Sequence, residues 1–243
     1  MQFLPLFIFL ALIAEILGTV GGFGSSMFFV PMAGYFFDFQ SVLGITALFH
    51  VSSNISKIAL FRKGFDKRLV FTIGIPAVVF VIGGAFLSKL INGFLLQVIL
   101  AIFLIMLGLL LMIYKNMQLK PTTFNSVTGG ALSGLTAGLL GTGGAIRGLT
   151  LAAFNLDKER FIATSAIIDL GIDLSRAIVY FSNGYIHKHD YYLIPILLLV
   201  GITGTFIGKK LLSRFTEAQF KYTVLALVIV TGAITLISSL KNS

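Results

Sequence analysis

The sequence predicts an all-α, polytopic membrane protein made of two inverted repeats, each a glycine-broken hairpin followed by three transmembrane helices. Composition is the first reason. The 243 residues are 57% hydrophobic and only 11% charged, with a mean hydropathy of +0.99, so a water-soluble globule would be left with far too much exposed apolar surface. The apolar runs are continuous rather than alternating, which excludes a transmembrane barrel. The third reason is a glycine ladder that occurs twice. Gly18, Gly21 and Gly24 return as Gly138, Gly141 and Gly144, each shifted by 120 residues, as expected of a duplicated helix-breaking element flanking a transporter's site.

Hydropathy places the elements in order, at about 20 residues per crossing. Residues 3 to 37 form the first glycine-interrupted stretch, followed by helices near 41 to 61, 69 to 88 and 94 to 114. The pattern then repeats, with an interrupted stretch at 124 to 154 and helices near 160 to 181, 190 to 208 and 218 to 239. The repeats are residues 1–120 and 121–243, with no soluble domain between them. Pro76 and Pro195, one per half, are expected to kink equivalent helices, which membrane spans tolerate. The N-terminus lacks a basic segment and a small-residue cleavage site, so Phe3 onward reads as mature helix.

The net charge of +9 reflects topology rather than nucleic-acid binding, because the charges sit in short loops. If each interrupted stretch turns back, one face receives Arg62, Lys63, Lys67, Arg68, Lys115, Lys120, Lys158, Arg160, Lys209, Lys210, Arg214 and Lys221, and the other only Lys89, Lys188 and Lys241. That split is 12 to 3; if each stretch crossed once it would be 8 to 7. The positive-inside rule favours the returning geometry, which inverts the second repeat and puts both termini outside the cytoplasm. The expected location is the inner (cytoplasmic) membrane.

Chemistry concentrates in the ladders. Gly21, Gly22, Gly24, Ser25 and Ser26 in one half, and Gly141, Thr142, Gly143 and Gly144 in the other, let the backbone leave helical geometry. The freed amides at the start of the next half-helix then face a cavity as anion ligands. Close helix packing is the plain alternative for glycines at such spacing. Ionisable residues inside spans are the second signal, since each is costly unless paired or hydrated. Asp169, Asp173 and Arg176 share one helical face, and His50, Asn54 and Lys57 occupy the related positions 119 residues earlier. They form a charge network that pins the halves together, relays protons or contacts the substrate. Arg147 follows the second ladder with no acid near it in sequence; it wants either a substrate oxyanion or Glu15.

Other features are weaker. His187 and His189 flank Lys188 in a loop that reads as solvated, and with no cysteine in the chain no metal site or cofactor is called for. A serine at 25 or 26 with His50 lacks a placed third group, so an enzyme is not expected.

The run Gly21-Gly22-Phe23-Gly24 leading to Val30-Pro31, the helix from Thr46 through Lys57, and Gly138-Leu139-Leu140-Gly141-Thr142-Gly143-Gly144 together resemble the TauE/SafE family of sulfite exporter-like permeases, over essentially the whole chain. Phe23 stands where the family commonly has a third glycine, and Leu151 where it commonly has a proline. The resemblance implies a bacterial or archaeal permease that moves sulfite, sulfonates, sulfoacetate or other small organic anions. The combined expectation is a secondary transporter working by alternating access, partnered by the lipid bilayer, a small anion and a coupled proton. A passive anion channel and a non-transporting assembly protein are the competing readings.

Overall fold

The computed structural model describes residues 3–22, 24–62, 64–113, 119–212, 229–230 and 232–237. Among these residues the fold is helical without strands. The helices are α1 (Leu4–Gly21), α2 (Ser26–Ala33), α3 (Phe39–Leu60), α4 (Lys67–Ser88), α5 (Gly93–Ile113), α6 (Thr123–Leu140), α7 (Gly144–Ala152), α8 (Lys158–Ser182) and α9 (Leu193–Leu212). Of the span expected at 218 to 239, residues 229–230 and 232–237 are helical, and the rest lies outside the described residues.

Helices α1, α3, α4, α5 and α9 are long and apolar enough to cross a membrane. Helices α6 and α8 are not among them, because α6 is rich in glycine and hydroxyl residues and α8 carries Asp169, Asp173 and Arg176. Both are shielded by neighbouring helices rather than by lipid alone, so their polar groups meet protein.

Both interrupted stretches turn back. Gly22 caps α1 at φ 70°, and Gly141 caps α6 at φ 77°, the left-handed conformation that only glycine adopts without strain. After the first turn, α2 runs back along α1 until Phe36 and Phe37 pack on Phe7, with ring centroids 5.4 and 5.1 Å away. After the second, α7 runs back along α6 until Thr150 meets Gly129.

Two glycine seams hold the helices together. Gly130, Gly134 and Gly138 on α6 press in register on Ile73, Ala77 and Val81 of α4, so α4 and α6 run parallel. A β-carbon on Gly134 would lie 2.7 Å from the Ala77 carbonyl carbon. On α9, Gly204 and Gly208 meet Glu15 and Thr19 of α1, while Gly201 meets α3 at Ser52 and Ser53. Such contact is the small-residue packing that joins helices in lipid, where apolar burial gives no driving force between them. Helices α3 and α8 pack on each other at the centre, α8 also on α4 and α3 on α9.

The ends of the bundle differ in charge. Arg62, Lys67, Arg68, Lys120, Lys158, Arg160, Lys209 and Lys210 lie at one end. There Arg160 approaches Asp66 at 3.7 Å, and Lys209 donates to the Leu60 carbonyl while lying 4.9 Å from the Phe61 ring centre. Lys89 and Lys188 lie at the opposite end, where the Ser88 hydroxyl is 3.1 Å from that of Tyr185. Lys63, Lys115, Arg214, Lys221 and Lys241 lie outside the described residues.

Two expectations need correction. Pro195 sits in the first turn of α9 and not in its interior; its missing N–H would have had no intrahelical partner there, so it helps start the helix instead of kinking it. The loop around Lys188 is not simply solvated, since His187 Nδ1 lies 2.8 Å from the Ser41 hydroxyl at the start of α3. The side chain of His189 lies outside the described set.

Candidate functional site

The two hairpin tips meet. Ser26, the first residue of α2, donates its hydroxyl to Thr142 Oγ1 in the second tip at 3.2 Å. Gly21 ends α1, Gly24 (φ 85°) leads into Ser25, the residue before α2, and Gly143 and Gly144 open α7. Each predicted glycine and hydroxyl residue therefore lies at a tip. The glycines divide by task, however. Gly18 and Gly138 are packing positions, against Ser25 and against Val81 and Ala85, and Gly22, Gly24 and Gly141 supply the turns.

The starts of the half-helices differ from those of α3, α4, α6 and α8. Asp38, Asp66, Thr122 and Asp157 each accept a hydrogen bond from the amide three residues on, capping α3, α4, α6 and α8. Neither α2, preceded by Ser25, nor α7, preceded by Gly143, has a side-chain cap. Their first amides remain available, at the positive end of the helix dipole. Ser25 is otherwise engaged: its hydroxyl is 2.6 Å from Glu15 Oε2 and 2.9 Å from His50 Nε2.

Buried charges surround the tips in three pairs. Glu15, 0% exposed, accepts on Oε1 from Thr19 (3.0 Å), Ser53 (2.5 Å), Thr205 (3.1 Å) and Lys57 (2.9 Å). Lys57 also donates to the Ser53 hydroxyl at 2.7 Å. Arg176 pairs with Asp173 through Nε (2.8 Å) and Nη2 (2.7 Å). Its Nη1 caps the end of α6 at the carbonyls of Gly141 (2.8 Å) and Ala137 (3.2 Å), where the helix dipole favours a cation. Asn54 donates to Asp173 Oδ2 at 2.6 Å, joining two residues 119 apart in the chain. The third pair is Arg147 Nη1 with Asp169 Oδ1.

Arg147 carries the most telling geometry. Its Nε donates to the Ser165 hydroxyl at 3.0 Å, which fixes the guanidinium plane. It is 2% exposed, yet Nη2 has no hydrogen-bond partner among the described residues. That nitrogen lies 3.7 Å from where a β-carbon on Gly24 would stand, beside the uncapped start of α2. A narrow cavity adjoins it, lined by Gly22, Gly24, Lys57, Ile162, Ser165 and Asp169 among others. A buried guanidinium nitrogen without an acceptor is costly, and a bound oxyanion would satisfy it.

The expected residues thus converge, though the pairing differs from either expectation for Arg147. It meets Asp169, not Glu15, and Glu15 belongs to Lys57. Sequence distance concealed the acid, which lies 22 residues downstream on another helix. Thr19, Ser53, Ser165 and Thr205 were missing from the expected set, and Glu15 entered it only as a candidate partner of Arg147. The missing side-chain cap of α7, preceded by Gly143, was a signal that the sequence displays; that of α2 was hidden, because Ser25 is a capping residue type whose hydroxyl turns to Glu15 and His50 instead. The serine and histidine are in contact, but Glu15 takes the Ser25 proton, so His50 Nε2 is assigned as the donor to Ser25 and not its base. His50 Nδ1 is 3.9 Å from Asp173, beyond hydrogen-bond reach.

A polytopic helical bundle with two broken hairpins meeting at a buried polar centre defines a membrane transporter. The sulfite exporter TauE/SafE family model matches residues 7–235, and the chain belongs to that family. It is 28% identical over 225 residues, 85% of this chain and 84% of the relative, to a protein of Methanocaldococcus jannaschii named as a probable membrane transporter protein. No solved structure matches.

Proposed function

We propose that the protein is a secondary transporter for a small oxyanion, bound between the hairpin tips. The observation that carries this reading is the unpartnered Nη2 of buried Arg147, beside the start of α2, with the uncapped half-helices meeting at Ser26 and Thr142. The anion sits on the amides around Gly24 to Ser26 and Gly143 to Ala145, with the hydroxyls of Ser26 and Thr142 and the guanidinium of Arg147 as further donors. Sulfite, sulfonates and small organic anions fit, being compact and rich in acceptors, and the family's description as sulfite exporters agrees.

The two halves act as inverted repeats. Supporting this, α1 packs on α9 as α6 packs on α4, and Asn54 meets its counterpart Asp173 at the centre. Access alternates as one helix group moves against the other around the tips. The cavity runs from Lys57 and Asp169 toward Gly22 and Ile162, near the basic end, so this conformation opens to the cytoplasm if that end is inside. The membrane is the inner one and both termini face away from the cytoplasm. Thermal unfolding of detergent-solubilised protein against sulfite, thiosulfate, sulfonates and carboxylates tests the reading, because a ligand of the folded state raises its melting temperature. At least one anion should do so for the wild type and much less for Arg147→Lys, which lacks the planar fork. Stabilisation that Arg147→Lys leaves intact would place the anion elsewhere.

A further inference from the structure

We propose that Asp169 is the exchangeable partner of Arg147: the anion takes over the guanidinium as Asp169 takes up a proton, so that one proton enters with each monovalent anion. This rests on the reading of the tips as an anion site. The centre holds three carboxylates, Glu15, Asp169 and Asp173, and three cations, Lys57, Arg147 and Arg176, paired one to one, with the imidazole of His50 between Ser25 and Arg176. An anion added to this neutral set brings an uncompensated charge into a poorly solvated interior. It must arrive with a cation, or one carboxylate must be neutralised.

The three carboxylates differ in how tightly they are held. Glu15 is fully buried under four hydroxyls and an ammonium. Asp173 has both oxygens occupied, by Arg176 and Asn54, and its side chain is 3% exposed. Among the described residues Asp169 has Arg147 alone, through Oδ1; its side chain is 17% exposed, and it lines the cavity. It is the acid that water in the cavity reaches and the one with least to lose on protonation.

The groups facing it are Arg147 from α7, Lys57 from α3, and Asp173 and Arg176 from α8 itself. Glu15 of α1 lies behind Lys57, and α4 and α6 present no ionisable side chain at this depth. On protonation Asp169 becomes neutral and releases Nη1. Ser165 still holds Nε, so the edge formed by Nη1 and Nη2 stays aimed at the tips as a two-pronged anion grip. Charge balances: one monovalent anion and one proton enter, and the site stays neutral.

Calorimetric titration of the purified protein with methanesulfonate, in buffers of different ionisation enthalpy, counts the protons taken up. The expected result for methanesulfonate is about one proton per anion on the alkaline side of the Asp169 titration, with affinity falling about tenfold per pH unit there. Asp169→Asn should bind without proton uptake and with affinity flat between about pH 5.5 and 8.5, whereas Asp173→Asn should keep the uptake. Thermal unfolding checks that both variants fold. Should Asp169→Asn fail to fold, uptake retained by Asp173→Asn supports the assignment and uptake lost in it overturns it. Wild-type binding without proton uptake, or uptake unchanged in Asp169→Asn, overturns the exchange while leaving the anion site standing. No binding by any anion overturns both.

Discussion

Glu15→Gln separates the charge of the Glu15–Lys57 pair from its shape. The amide keeps an oxygen where Thr19, Ser53, Thr205 and Lys57 converge, and its NH2 can face Ser25, whose hydroxyl now lies 2.6 Å from Oε2. The hydrogen-bond frame survives and the negative charge does not. Lys57, 2.9 Å from Oε1 and buried, is then left with the Ser53 hydroxyl as its close partner. Breaking a buried pair by removing one member costs about 3–5 kcal/mol. For a chain of this length each kcal/mol moves the melting temperature by roughly 2–4 °C, so the expected drop is about 6–20 °C. Adding Lys57→Met removes the stranded charge and should restore the larger part of the loss, because a buried pair and its apolar replacement are close in free energy. Arg160→Gln is the control: its 3.7 Å contact with Asp66 is part-exposed and worth at most about 1 kcal/mol. Thermal unfolding in detergent reads all three variants against the wild type. A single variant melting within about 2 °C of wild type, or a double variant no better than the single, would refute the reasoning.

Gly134→Ala should destabilise by about 1–3 kcal/mol through overpacking against Ala77, while Gly83→Ala, with nothing within 4 Å of the added carbon, should be neutral or slightly stabilising; thermal unfolding distinguishes them. Ser26→Ala and Thr142→Ala should each weaken anion binding by about 0.5–1.5 kcal/mol and combine non-additively, since the two hydroxyls touch; calorimetric titration of the two single variants and the double checks this. Because the chain has no cysteine, Lys120→Cys and Lys188→Cys should be labelled by a membrane-impermeant thiol reagent from opposite sides of intact vesicles. Labelling of both from the same side would remove the proposed topology.

Much of this was legible in the chain because its signals are local. A glycine that caps a helix in the left-handed conformation announces a turn, and Gly22 and Gly141 did so. The shared helical face of Asp169, Asp173 and Arg176, and its counterpart at His50, Asn54 and Lys57, follow from the helical period alone. Pairings between elements were hidden. Arg147 reaches Asp169 because α7 folds back beside α8, and Glu15 reaches Lys57 because α1 and α3 both pack on α9; neither neighbourhood is encoded by spacing. The ladders also misled in part, since periodic glycines look alike whether they turn the backbone, as Gly141 does, or admit a neighbouring helix, as Gly138 does.

The glycine seams have a consequence for biogenesis. Their glycines lie on α6 and α9, made late, and the surfaces that receive them lie on α4, α1 and α3, made early. When the ribosome has finished α5, three helices are in the bilayer without the neighbours they are shaped for. The front of the chain must therefore wait for the back, and fragments separated in the loop between α5 and α6 should accumulate only when both are synthesised in the same cell.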